Sequence, residues 1–271
     1  MSQTPPASAA PTIEGEMFLF NKPELLTKEA HGSLGITRPD RPFAFCETIR
    51  AVPLTLSEIT TAMRDFPVIF SNEDNPVPLA VLGLIDDVNL FVDDEGEWDQ
   101  NTYVPGYIRR YPFALATERQ ATDDQNARMA VILDADYKGI VSDSNMPFFS
   151  NGEPSDAMQQ AMNFCETYER DRVQTTRFGE ALKPFSLLSQ QFAQYTPENG
   201  EPTAFARYVG VEEAKLNELP DEKFLELRKS GILPILYAHL MSMANWRKIL
   251  DRRARRFQLT GEAVLKPRTT N

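Results

Sequence analysis

Val68-Ile-Phe-Ser-Asn-Glu-Asp-Asn-Pro-Val-Pro-Leu-Ala-Val-Leu82 places two short apolar runs, Val68 to Phe70 and Leu79 to Leu82, on either side of a cluster of turn formers, Ser71 to Pro76. Runs of this length and composition, separated by residues that favour reversal, read as paired antiparallel strands. Working upstream, Pro67 stops a short surface helix in which Ser57 offers an N-cap oxygen before Glu58, and Ile59, Met63 and Phe66 share one face. Working downstream, Asn89-Leu-Phe-Val92 followed by Asp93-Asp-Glu-Gly96 predicts a third strand and a turn, so a meander is expected. Phe43 to Cys46 reads as a further strand and Met17 to Phe20 as an edge strand, with extended loop from Asn21 to Pro42.

In the second half Ala130 to Leu133 is strand-like, and Pro154-Ser155-Asp156 marks a helix start. Met158, Met162, Cys165 and Tyr168 recur at helical spacing, and Pro184 limits that helix to about Lys183. Phe185 to Tyr195 fits either period; Asn199-Gly200 favours a hairpin returning through Ala204 to Val209. Pro220 to Gly231 specifies both ends of a helix, with Pro and acids first, bases last and glycine just beyond. A second helix carries Leu233, Leu236, Leu240 and Met243 on one face and continues towards Arg256. The expected class is α+β: a mixed, largely antiparallel sheet with packed helices and a helical C-terminal third.

The 271 residues carry 42% hydrophobic and 10% aromatic content, enough for a sizeable core. The expected organisation is a disordered tail over residues 1–16, a globular domain over 17–256 and a frayed end over 257–271. A formal net charge of −11 favours solubility and disfavours nucleic acid. Cys46 and Cys165 form neither a disulfide framework nor a zinc pattern and read as buried thiols, and His31 and His239 are too few for a histidine-rich metal site. Asp134-Ala-Asp-Tyr-Lys-Gly139 departs from a calcium loop at Lys138 and at Asn145. No metal and no cofactor is expected. The run from Gly231 to Trp246 is too short and too interrupted to span a bilayer, and the N-terminus lacks the pattern of a secretory signal, so the expected address is the cytoplasm.

Four strings carry a family resemblance: Lys28-Glu-Ala-His-Gly32; Leu82-Gly-Leu84 before Asn89 to Val92; Tyr103-Val-Pro-Gly-Tyr-Ile-Arg-Arg-Tyr-Pro-Phe-Ala-Leu115; and Gly231-Ile-Leu-Pro-Ile-Leu-Tyr-Ala-His-Leu240. The chain resembles the SapC family of bacterial proteins over roughly residues 17 to 250. The resemblance implies a surface-layer or transport association by name only, and it brings no catalytic residues.

The Tyr103 to Leu115 box is the leading site candidate. Tyr103, Tyr107 and Tyr111 offer ring surfaces, and Arg109 or Arg110 offers a clamp for a carboxylate or phosphate; the bland alternative is an internal ion pair among packed tyrosines. Adjacent arginines point in different directions, so the two are expected to differ in role. Arg247 to Arg256 is the one concentrated basic segment, read first as a solvated helix end. No nucleophile, phosphate-loop or dinucleotide signature accompanies these features. The leading expectation is a soluble accessory or binding protein, leaning non-enzymatic, whose partner is an unknown protein or small anionic ligand, with oligomerisation open. The alternatives are an enzyme with an Arg/Tyr anion site, or a surface-layer or transport-associated component.

Overall fold

A computed structural model describes residues 17–117, 129–196 and 201–268. The residues of the expected N-terminal tail and the Asn199-Gly200 turn lie outside that set. The early strands are β1 Pro23–Leu25, β2 Leu34–Ile36, β3 Ala51–Pro53, β4 Val68–Phe70, β5 Pro78–Val81 and β6 Phe113–Thr117. After them come β7 Met129–Asp134, β8 Ile140–Ser142, β9 Phe149–Ser150, β10 Glu153–Pro154, β11 Leu188–Tyr195 and β12 Thr203–Val211. The helices are α1 Lys28–His31, α2 Ile59–Ala62, α3 Gly106–Arg109, α4 Asp156–Leu182, α5 Glu213–Asn217, α6 Asp221–Lys229, α7 Ile232–Ser242 and α8 Asn245–Phe257. The class is α+β with antiparallel pairing throughout the named strands.

The chain divides into two compact units: residues 1–39 with 110–166, and residues 40–109 with 167–271. In the first, a sheet of order β1-β7-β6 accompanies the pairs β2-β8 and β9-β10. Its core gathers Phe113, Leu133, Phe148, Met158 and Cys165. Ser155 Oγ accepts the Met158 N–H and so caps the start of α4, as the local sequence predicts.

In the second unit a five-stranded sheet runs β11-β12-β4-β5-β3. The β4-β5 hairpin forms as expected, with Ile69 opposite Leu79. The β11-β12 pair also forms over its full length. The seam between them is thin: β12 meets β4 only at Val209 opposite Phe70. Phe70, Phe178, Leu182, Leu188, Leu227 and Leu236 belong to one buried cluster. Gly231, with φ of 76°, turns the chain between α6 and α7, which glycine does without steric cost. The expected single helix after Gly231 is two, because the chain turns at Met243 and Ala244 before α8. Leu233 and Leu236 are buried as anticipated, whereas Leu240 and Met243 are half-buried.

Several expected strands take other forms. Phe43 precedes a 3-10 turn over Ala44–Cys46, whose Cys46 Sγ donates to the Phe43 carbonyl at 3.2 Å. Met17 to Phe20 is a turn closed by the Phe20 N–H on the Met17 carbonyl, with Leu19 at φ 70°. Asn89 to Val92 makes only an isolated bridge, Val92 to Trp98. Its backbone bonds go singly to separate segments, Asn89 N–H to Glu47 and Leu90 N–H to Leu82, while the buried Asn89 side chain donates to the Cys46 carbonyl and accepts the Phe91 N–H. The meander is therefore not formed; β3 pairs with β5 instead. Conversely β1 and β2 lie within the expected loop, paired to β7 and β8 more than a hundred residues away. The helix before Pro67 is capped at Thr55 rather than Ser57, by a Thr55/Glu58 capping box.

Candidate functional site

The box divides at Arg109 and Arg110, where the chain passes from one compact unit to the other. In the second unit the organising group is Glu58, a carboxylate only 6% exposed. Its Oε2 accepts the Thr55 N–H at 2.8 Å and the Thr55 hydroxyl at 2.9 Å. Its Oε1 accepts the Tyr103 hydroxyl at 2.9 Å and the Gly106 N–H at 2.5 Å. These donors compensate the desolvation of a buried carboxylate, which alone would be strongly unfavourable. Gly106 suits the close approach: a Cβ there would stand 3.1 Å from Glu58 Oε1 and 3.2 Å from the Tyr168 ring, tighter than ordinary van der Waals contact.

Arg109 donates to the Tyr103 hydroxyl at 2.9 Å, with its guanidinium carbon 5.3 Å from the Tyr103 ring centre. The Tyr103 hydroxyl thus links the exposed Arg109 to the buried Glu58. Burial, then the charge and hydrogen bond of Glu58, push the Tyr103 phenol up to about 12 against the opposing effect of Arg109. Tyr103 also lines an open recess of about 380 Å³ with Arg64, Asp65, Gln100, Asn101 and Thr102. Asp65 accepts the Tyr103 N–H there, and Lys248 Nζ reaches the Arg64 carbonyl at 2.7 Å. Tyr107 is buried, with its ring edge-on to Tyr168 at 6.1 Å.

In the first unit the corresponding group is Asp134, fully buried. It accepts the N–H groups of Asn21 and Lys22, each at 2.9 Å, the Asp136 N–H at 3.2 Å and the Tyr111 hydroxyl at 2.9 Å. Tyr111 is sandwiched edge-on between Phe20 at 5.4 Å and Tyr137 at 5.2 Å. Burial first, and Asp134 second, raise the Tyr111 phenol far above its ordinary value. Arg110 is buried, and its charge opposes the burial that lifts the Cys165 thiol to about 11. Adjacent in sequence, Arg109 is exposed and Arg110 buried.

Three functional-looking side chains escape the sequence reading. Glu58 had a signal in the spacing Thr55-x-x-Glu58. Asp134 shows in the sequence only as the start of the Asp134 to Gly139 string, which departs from a calcium loop. Arg253 falls at helical spacing from Trp246, Ile249 and Leu250 on the buried face of α8 and is itself fully buried. Its guanidinium meets Asp86 at 2.6 Å and the carbonyls of Val264 and Lys266, each at 2.8 Å. Arg252 pairs with Asp99 and Arg256 with Asp94, so much of the basic segment is matched by the protein's own acids. Among the described residues no cluster of His, Cys, Asp and Glu could hold a metal ion, and no helix is long and apolar enough to cross a membrane.

Comparison with curated proteins and with solved structures gives no match. The SapC family model matches residues 26–249, which include both buried-carboxylate hubs and the whole box, and the chain therefore belongs to the SapC family.

Proposed function

We propose that this SapC-family chain is a soluble, cytoplasmic accessory protein that binds a small anionic ligand in the recess beside Tyr103. The observation that carries the reading is Arg109: it stands exposed on the hydroxyl of Tyr103, and that tyrosine lines the recess together with Arg64. Lys248 adds a further cation next to Arg64 in a chain whose net charge is −11. Asp65 is the acid of the recess lining, and the excess of Arg64, Lys248 and Arg109 over it attracts carboxylates or phosphates against the overall field. A binding role is favoured over acid-base catalysis because the Tyr103 phenol is pushed up to about 12 and both Glu58 oxygens are already engaged by donors. Tyr107, Arg110 and Tyr111 serve this reading as scaffold, through packing and the hydrogen bond to Asp134.

The test is retention of small molecules and proteins by tagged protein purified from its native cell, read by mass spectrometry at equal folded concentration. Arg109→Ala should lose the retained anion while keeping the wild-type thermal midpoint, and Arg110→Ala should chiefly lower stability. An identical retained set in wild type and Arg109→Ala removes the recess as the binding site. Fractionation of those cells checks the address.

A further inference from the structure

We propose that β11 is a self-association edge, through which two copies of this chain pair antiparallel about a two-fold axis at Gln190. Val211 gives its N–H to His239 Nε2 at 3.0 Å rather than to β11, so Val211 and the facing Leu188 form a non-hydrogen-bonded pair. In an antiparallel ladder such pairs alternate with hydrogen-bonded ones. Leu188, Gln190 and Phe192 therefore direct their N–H and C=O groups away from β12. Among the described residues the strand lies at the edge of the sheet order, so this row faces away from the sheet.

Natural edges are commonly blunted by charge, proline, brevity or a bulge. The opposite edge of this sheet, β3, is only three residues long and ends in Pro53. β11 has none of these devices. It is eight residues long, and no charged residue occurs from Phe185 to Thr196 in a chain that is 25% charged. The register shift between Ala193 and Gln194 arises from Phe205 on β12, which leaves β11 regular.

The same features select the occupant. Two chains of net charge −11 repel on approach, and β11 brings no charge of its own to the contact, while Lys183 stands with Glu73 and Asp74 around its Leu188 end. A strand whose outward groups centre on one residue is self-complementary under a two-fold axis. Gln190 then faces Gln190 of the second copy, each facing pair exchanges two backbone bonds, and Phe192 lies over Leu188 of the other copy. Phe192 is 56% exposed in the single chain and would be covered.

The experiment is mass by light scattering or sedimentation over a concentration series, on the full chain. Wild type should shift from monomer to dimer mass with rising concentration. Phe192→Lys, which places a charge on the exposed edge, should stay monomeric and keep the thermal midpoint that wild type shows at monomeric dilution. Gln190→Cys should form a disulfide-linked dimer on mild oxidation, since facing hydrogen-bonded residues lie within the Cα separation a disulfide requires. Monomer mass for wild type at every concentration overturns the proposal, as does a Phe192→Lys protein that dimerises like wild type. Should Phe192→Lys fail to fold, the Gln190→Cys cross-link decides alone, its absence counting against the interface.

Discussion

His239 Nδ1 donates to the Val68 carbonyl at 2.6 Å, while its Nε2 accepts the Val211 N–H at 3.0 Å. One helix-borne ring thus joins β4 to β12 where the strand ladder supplies a single facing pair. Ser242, one turn further along α7, accepts the Val68 N–H at 2.9 Å and completes the pairing of that residue. The arrangement needs the neutral ring, with its proton on Nδ1 and an acceptor at Nε2. His239→Ala should therefore cost about 2–4 kcal/mol, from buried backbone groups left without partners together with a cavity. Chemical denaturation at neutral pH checks this, and a loss below about 0.5 kcal/mol is the contrary outcome.

The same ring gives a pH dependence of definite sign. Burial lowers the His239 pKa to about 4, only partly opposed by the bond to Val68, whereas the unfolded chain titrates near 6.5. Between those values the unfolded state binds the additional proton, so stability rises with pH. The contribution of neutral His239 is fully present above about 6.5 and declines as pH falls towards 4, by at most about 3 kcal/mol. Measuring wild type against His239→Gln across this range isolates the effect. Parallel stability curves for the two proteins would falsify the assignment.

Glu58→Ala should destabilise the second unit by about 3–5 kcal/mol, because it strands the Thr55, Tyr103 and Gly106 donors together. Tyr103→Phe removes one hydroxyl from the same network and should cost about 1 kcal/mol. The ordering of the two midpoints in urea is the decisive reading; a milder effect for Glu58→Ala than for Tyr103→Phe contradicts it.

Arg253→Ala should cost about 3–5 kcal/mol, since it leaves Asp86 without its buried partner and frees the carbonyls of Val264 and Lys266. Local loosening should accompany the loss. Limited proteolysis is expected to cut between Phe257 and Arg268 faster in the variant than in wild type, and equal cutting at equal global stability refutes the anchoring role.

Both cysteines should resist thiol reagents in the native state. Burial raises Cys46 to about 12 and Cys165 to about 11, which leaves little thiolate at neutral pH. Labelling with a disulfide reagent should be slow until denaturant is added, and rapid native labelling at either position runs against this.

The features legible in the chain of residues alone are local. The start of α4 at Ser155, both ends of α6, the β4-β5 hairpin and the buried positions Met158, Cys165, Leu233 and Leu236 follow from caps, turn formers and helical spacing. Each of these signals acts between residues only a few positions apart. The family, too, was legible in strings of contiguous residues. Only tertiary structure decided the rest. Asn89 to Val92 has a strand's composition, but its backbone bonds go to separate segments at Glu47, Leu82 and Asp99 rather than to one partner strand. Adjacency predicts that Arg109 and Arg110 differ, but which of them is exposed and which buried is set by the tertiary packing. Asp134 acquired its meaning from Asn21, Lys22 and Tyr111, Arg253 from Asp86, and His239 from Val68 and Val211. The physical reason is that a buried polar group is tolerated only when specific partners meet it, and here many of those partners stand more than a hundred residues away, where no spacing rule reaches.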